Sequence, residues 1–276
     1  RYRSLDGLQK DLAEHAGDYT NAGPNLIARI PGLPAQPQKD TANAGGSTPI
    51  RSQGLDLIGA PANRTGWGSG VTVAVLDSGV VDHPSLRNAS ITHIDLVEDG
   101  QAFHGHGTAM TSLIAGDDPN IAGISPASKI IDIRVADPQG NSNTALLASG
   151  IVRAIESGAK VINISLGSSQ TSPVLEQAVQ YAISRGAVII AAAGNEQSNA
   201  LSYPAGYSGV VSVAAIDANG AQAWFSNSGQ GLTLAAPGVG IVSAYTANKL
   251  VIGSGTSQAT AITSGGLVRA ELDPGL

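Results

Sequence analysis

The chain of 276 residues contains no cysteine. That excludes disulfides, thiol catalysis and cysteine-bound zinc together. Charge is scarce too. Asp, Glu, Lys and Arg make up 13% of the residues, about half the usual ~25%. No block of Lys or Arg gathers into a patch and the net charge is −6, so no nucleic-acid partner is expected. The longest apolar run, Ala187 to Ala193, falls far short of the ~18 residues of a membrane helix, and no membrane span is expected. Aromatics are 4%. Glycine, by contrast, is abundant at 35 residues, without the three-residue period of collagen. With 42% hydrophobic residues, the composition is that of a globular chain of small residues and not of a disordered one.

Two unequal parts are expected. Residues 1–47 form an N-terminal extension. Ser4 to His15 has helical spacing at Leu5, Leu8 and Leu12, with Ser4 as N-cap. Pro24, Pro31, Pro34 and Pro37 then interrupt regular structure, and Thr41 to Thr48 is linker-like. The plain reading is a flexible extension. Residues 48–276 are more regular. Near-continuous apolar runs cover Val71–Asp77, Ile130–Val135, Lys160–Leu166, Ala187–Ala193 and Val210–Ala215, as in strands buried on both faces. Helical patterns lie between them at His106–Ala115, Thr144–Ser157 and Pro173–Arg185, the last opened by Pro173 and closed by Gly186. Alternating strands and helices predict an α/β fold: a doubly wound, mostly parallel sheet with helices on both faces. Chemistry in such sheets sits beyond the carboxyl ends of the strands.

Four side chains stand at those ends. Asp77 closes the Val71 run, where a lone Asp is most simply a turn cap. His104-Gly105-His106-Gly107-Thr108 precedes a helix. His-x-His can chelate a metal, but a third ligand is needed and no His-Glu-x-x-His pattern exists. A single histidine at the helix start can instead act as a base. Asn195 follows the Ala187 run, where it serves either a turn or an amide donor. Ser257 lies at the start of a final helical pattern, as an N-cap or as a nucleophile beside free N–H groups. Each signal is weak alone. Together, in the order Asp, His, Asn, Ser, they supply a carboxylate, an imidazole, an amide and a hydroxyl at one end of one sheet.

In these blocks the sequence resembles the subtilisin-like serine proteases, over roughly residues 50–270. Val73-Ala74-Val75-Leu76-Asp77-Ser78-Gly79 resembles the family's aspartate block, Gly105-His106-Gly107-Thr108 its histidine block, and Ala191-Ala192-Ala193-Gly194-Asn195-Glu196 its oxyanion block. Gly255-Thr256-Ser257 resembles its nucleophile block. The resemblance implies a serine endopeptidase with Asp77, His106 and Ser257 as catalytic triad and Asn195 as oxyanion donor. It implies a protein or peptide substrate lying as a strand against Ser165, Leu166 and Gly167 on one side and Asn141, Ser142 and Asn143 on the other. Ala192 and Gly194 fall near the pocket for the residue before the scissile bond. No cofactor is implied for the chemistry. Structural calcium is common in the family, with Asp82, Asp117 and Asp118 in loops, but spacing assembles no ligand set. The resemblance further implies secretion or a cell-envelope location, and an inhibitory prodomain. Gly23 to Ile30 loosely resembles a segment that ends such prodomains, which would make residues 1–47 a prodomain remnant plus linker.

Departures are visible. Gln258 stands where the family usually has methionine, Ala261-Ile262 where it has Pro-His, and Ala109 where it has a second histidine. The chain also ends soon after Ser257, so the domain is expected to be short at its C-terminus. Three other readings follow from the residues: a maturation protease or peptide cyclase on this scaffold, a catalytically silent peptide-binding subtilase fold, and a His-x-His metalloprotein.

Overall fold

A computed structural model describes residues 23–32, 47–50, 57–61, 63–118 and 121–272, together with Lys10 and Glu14. Of the helix predicted over Ser4–His15, only those two residues are described; they form an i,i+4 ion pair at 3.8 Å. The other residues of that prediction, and most of Thr41–Thr48, lie outside the described residues.

In chain order the strands are β1 (Ile27–Arg29), β2 (Thr72–Asp77), β3 (Ser90–Asp95), β4 (Asp117–Asp118), β5 (Ile121–Ala122), β6 (Lys129–Arg134), β7 (Asn141–Asn143), β8 (Val161–Ile164), β9 (Val188–Ala192), β10 (Val211–Ile216), β11 (Leu234–Pro237), β12 (Ile241–Ala244) and β13 (Leu250–Gly253). The α-helices are α1 (His106–Ala115), α2 (Thr144–Glu156), α3 (Pro173–Ser184) and α4 (Thr256–Leu272). Seven strands form one sheet in the order β11-β10-β9-β8-β2-β6-β3. Every neighbouring pair in it is parallel. The doubly wound fold expected from the alternating runs is therefore present.

The sheet separates two cores, and β2 shows how. Its side chains alternate: Ala74 and Leu76 enter one core, Val73 and Val75 the other. In the first core they meet Leu147 and Ile151 of α2 and Leu175 and Val179 of α3. In the second they meet Met110 and Ile114 of α1 and Ala259, Ala261 and Ile262 of α4. The described part of α4 is buried from Thr256 to Gly265, which explains its Ala, Thr, Ser and Gly composition: small side chains let a helix lie close between a sheet and α1. Thr260 and Thr263 return their hydroxyls to carbonyls four residues back, at 2.7 and 2.9 Å, so neither hydroxyl is stranded.

The extension differs from its plain reading. Residues 27–29 are a strand, paired antiparallel with β7 in the register Ile27 with Asn143, Ala28 with Ser142 and Arg29 with Asn141. On its other side Arg29 bridges Gly167. Neither β1 nor the Asn-Ser-Asn of β7 has a composition that favours a strand. Each is extended because its backbone groups find partners across the gap.

Candidate active site

Asp77, His106, Asn195 and Ser257 come from four different elements and are brought to the carboxyl edge of the sheet. Asp77 ends β2 and is 0% exposed. A carboxylate there needs partners, and it has them. Both its oxygens lie 2.9 Å from His106 Nδ1, and the Ser78 N–H donates to Oδ1 at 2.7 Å. Gly79 turns the chain away with φ +88°, and a Cβ there would meet Phe103 Cδ2 at 2.5 Å. That turn and that contact require glycine.

His106 opens α1, and side chains satisfy the first N–H groups of the helix. The His106 N–H donates to His104 Nδ1 at 3.3 Å, and the Gly107 N–H donates to Ser78 Oγ at 3.1 Å. Thr108 Oγ1 accepts from the Val81 N–H at 3.0 Å. The start of α1 is thus tied to the loop that leaves Asp77. His104 has a different part. Burial, with the neighbouring His106 ring, pushes its imidazole below the ordinary histidine value, and its ring stands edge-on to Tyr245 with centroids 6.3 Å apart. The Nδ1 atoms of the His-x-His pair face a backbone N–H and Asp77, and among the described residues no group of three or more His, Asp or Glu gathers that could hold a metal ion. No such group includes Asp82, Asp117 or Asp118.

Asn195 follows β9. Its Oδ1 accepts from both the Thr256 N–H and Thr256 Oγ1 at 2.9 Å, which fixes the carboxamide and leaves its NH2 group as the free end. Gly194 before it has φ +110°, and a Cβ would lie 2.2 Å from Asn227 Nδ2. Ser257, 2% exposed, is the second residue of α4. Its hydroxyl does not donate to His106. It donates to the Ser165 carbonyl at 3.1 Å.

The residues expected to hold substrate already hold a peptide segment of the chain itself. Arg29 and Gly167 bond through both backbone groups. The Ile30 N–H donates to Gly140 O at 2.9 Å, and the Thr144 N–H to Leu26 O at 2.9 Å. Continuing the antiparallel register from Arg29 and Gly167 sets Pro31 opposite Ser165. Proline has no N–H to give to the Ser165 carbonyl, and that carbonyl takes the Ser257 hydroxyl instead. Pro31 and Gly32 border two cavities. One, of about 270 Å³, is lined by His104, His106, Asn195, Ser257, Gln258 and Tyr245 among others. The second, of about 400 Å³, includes Leu166, Gly167, Ala192, Gly194, Glu196 and Ser202. Of the sequence-predicted substrate residues, Leu166, Gly167, Ala192 and Gly194 line the second cavity, Ser165 sits between it and Ser257, and Asn141 to Asn143 flank β1.

Two supporting residues were not singled out from sequence: Ser78, which joins Asp77 to the start of α1, and Thr256, which orients Asn195. Both lie inside the quoted blocks, so the signal was adjacency to a predicted site residue.

The profile of the Subtilase family matches residues 68–271, and the chain belongs to that family. It is 40% identical over 208 residues to the thermostable alkaline protease of Halalkalibacterium halodurans, covering 74% of this chain and 57% of that protein. It is 38% identical over 217 residues to Subtilisin Savinase of Lederbergia lenta, covering 77% and 81%. Among solved structures, a serine-to-alanine mutant of the protease domain of PatA superposes with a TM-score of 0.71 at 29% identity, over 76% of this chain and 81% of that one. The patellamide maturation protease PatA gives 0.67 at 31% identity, over 73% and 78%. Among the described residues no helix is long and apolar enough to cross a membrane.

Proposed function

We propose that the chain is a serine endopeptidase that hydrolyses peptide bonds through an acyl-enzyme on Ser257. One observation carries this reading: the buried Asp77–His106 pair, the oriented Asn195 amide and Ser257 converge where an extended peptide segment is already bound. Ser257 Oγ attacks the scissile carbonyl carbon while His106 Nε2 takes the hydroxyl proton. Asp77 keeps the other imidazole proton on Nδ1 and steadies the cation that forms. The carbonyl oxygen, now negative, is received by the Asn195 NH2 and the Ser257 N–H. Collapse breaks the C–N bond, and His106 gives its proton to the leaving amine. A water molecule then repeats the sequence at the acyl carbon and frees Ser257. To begin, the Ser257 hydroxyl must swing from the Ser165 carbonyl to His106. A substrate residue with an N–H opposite Ser165 takes that carbonyl and releases it.

In this reading, residues 1–47 are an inhibitory extension and 48–276 the catalytic domain. Leu26 to Gly32 occupy the groove as a substrate strand does, with Pro31 where a cleavable residue would stand. Ser165 to Gly167 and Asn141 to Asn143 then bind protein or peptide substrate by β-augmentation. The family resemblance supports secretion or a cell-envelope location, with calcium, if bound, in a structural role.

The test is labelling with a fluorophosphonate. Wild type is expected to gain the mass of the phosphonyl adduct, and Ser257→Ala and His106→Ala to gain none. A folded wild type that takes no label would favour a silent peptide-binding fold. The likeness to PatA favours a second reading, a maturation protease or cyclase in which a peptide amine replaces water at the acyl-enzyme. Product mass separates the two: cleavage by water adds 18 Da to the summed products (~18, the mass of water), whereas amine capture adds none.

A further inference from the structure

Arg134 ends β6 and is 1% exposed. The register sets it beside Asp77 of β2 on one flank and Asp95 of β3 on the other. Ile131 and Ile133 turn to the core of α2 and α3, and Ile130 to that of α1 and α4. The alternation therefore puts Arg134 on the face that α1 covers. Its guanidinium gathers the loop from Leu96 to Gly105, which joins β3 to α1. Nη1 donates to Asp95 Oδ2 at 2.9 Å and to Asp99 Oδ1 at 2.8 Å, and Nη2 donates to Asp99 Oδ2 at 2.9 Å. Cζ lies 4.7 Å from the centroid of the Phe103 ring. Nε is buried without a partner.

Phe103 is the link to the triad. Its ring fills the space that a Gly79 Cβ would need, in the turn that leaves Asp77. The next residue, His104, accepts from Ser78 Oγ through its carbonyl at 2.8 Å and from the His106 N–H through Nδ1 at 3.3 Å. A continuous path thus runs from Arg134 through Phe103 and His104 to His106. A buried cation with an unpaired N–H is a poor stabiliser. Apolar replacement of a buried ion pair is often neutral or stabilising, and an unmade hydrogen bond adds its own cost. The arrangement fits a geometric duty instead: two carboxylates and one ring fix the loop at three points.

On the protease reading above, we infer that Arg134 is a positioning residue for His106. It clamps the loop between β3 and α1 so that Phe103 and His104 hold the start of α1, and with it His106 Nδ1, against Asp77. It touches neither the substrate nor the reacting atoms. Lysine cannot replace it fully, because an ammonium neither forks onto both Asp99 oxygens nor lies flat on a ring.

The experiment is a double-mutant cycle on the full chain, read as kcat and as melting temperature. At saturating peptide, kcat is untouched by competition from the extension. Arg134→Met is expected to lose about 10- to 100-fold in kcat, as a catalytic group misplaced by up to ~1 Å does, with little change in KM and an equal or higher melting temperature. Arg134→Lys should recover only part of the loss. Phe103→Ala should lose as much as Arg134→Met, and the double variant no more than either alone, because both act through one path. Should Arg134→Met not fold, Asp99→Ala on the exposed loop gives the same readout, a lower kcat at the wild-type melting temperature. Wild-type kcat in Arg134→Met or Asp99→Ala overturns the inference, as do additive losses in the cycle. A wild type that takes no fluorophosphonate label and cuts no peptide overturns the protease reading, and this inference with it.

Discussion

Arg29 and Gly167 exchange both backbone hydrogen bonds, 2.9 Å from the Arg29 N–H to Gly167 O and 3.0 Å in return. With β7 on its far side, the segment around Arg29 is the middle strand of a three-stranded antiparallel arrangement over the candidate site. On the proposed protease reading, this segment would compete with substrate for the same backbone groups.

Weakening that segment should therefore raise activity. Ala28 is fully buried in the core that holds Leu166 and Leu147. Ala28→Asp would bury a carboxylate without a partner, which is costly, and the burden falls on the extension and not on the catalytic layer. The initial rate on a short chromogenic peptide is expected to rise about ten-fold or more, the change from roughly 1.4 kcal/mol of lost docking. An unchanged rate would show that the segment does not compete.

Asn195 lends itself to a pair of variants. Asn195→Ala removes the amide donor and also the acceptor that holds Thr256. Asn195→Asp keeps an acceptor for Thr256 but offers no N–H to the oxyanion. Both are expected to lose about 10²–10³ or more in kcat, the magnitude known for removing this kind of donor from a subtilisin. Only Asn195→Ala should also lower the melting temperature. Equal melting temperatures for the two would mean that Thr256 is not held by Asn195.

A second imidazole–carboxylate pair lies apart from the first. His93 of β3 places Nδ1 2.9 Å from Asp132 Oδ2 of β6, and the same oxygen accepts from the Val80 N–H, three residues past Asp77, at 2.9 Å. The bond to Asp132, with Asp82 nearby, holds the imidazole above its ordinary 6.5. Burial pushes the Asp132 carboxyl up as well. The folded chain therefore keeps the His93 proton longer than the unfolded chain does. The stabilisation is complete below 6.5 and is lost as pH rises through the higher folded value. In a Ser257→Ala background, where self-digestion cannot interfere, the melting temperature should fall above about pH 6.5, and His93→Gln should lack that fall. Parallel curves for the two would sink the assignment.

Resistance to peroxide follows from where sulfur is missing. The chain has one methionine, Met110, and it is fully buried. Beside Ser257 stands Gln258, which peroxide leaves alone, whereas a methionine would become a polar sulfoxide at the reacting centre. Activity should survive dilute hydrogen peroxide that inactivates a relative with methionine at that position. Equal rates of loss would contradict this.

The central strands and first three helices were legible because their signals are local. β2, β6, β8, β9 and β10 are apolar runs, and Pro173 and Gly186 punctuate α3 as expected; the cap of α2, where Asn143 Oδ1 accepts from the Leu146 N–H at 2.9 Å, is an addition of the structure. The hairpin of β12 and β13 was not, because its Leu250 and Ile252 are 51% and 63% exposed and mark no core face. Asp77, His106, Asn195 and Ser257 could be picked out because each ends or begins an element at the same sheet edge. What their hydroxyls and amides bond to could not. Ser257 to Ser165 and Thr256 to Asn195 are contacts across long stretches of chain, with no period to betray them. Likewise β1 and β7 exist only as partners, so neither carries its own pattern.

The two cores divide the labour of the molecule. Ala28 and Leu166, which seat the peptide, belong to the core of α2 and α3. Ala109 and Ala259, which anchor the helices bearing His106 and Ser257, belong to the core of α1 and α4. The sheet is an insulating floor between grip and reaction. A cavity opened beneath α2 should register first in KM, and one opened between α1 and α4 in kcat, so the grip can be reshaped by core substitutions that never approach the chemistry.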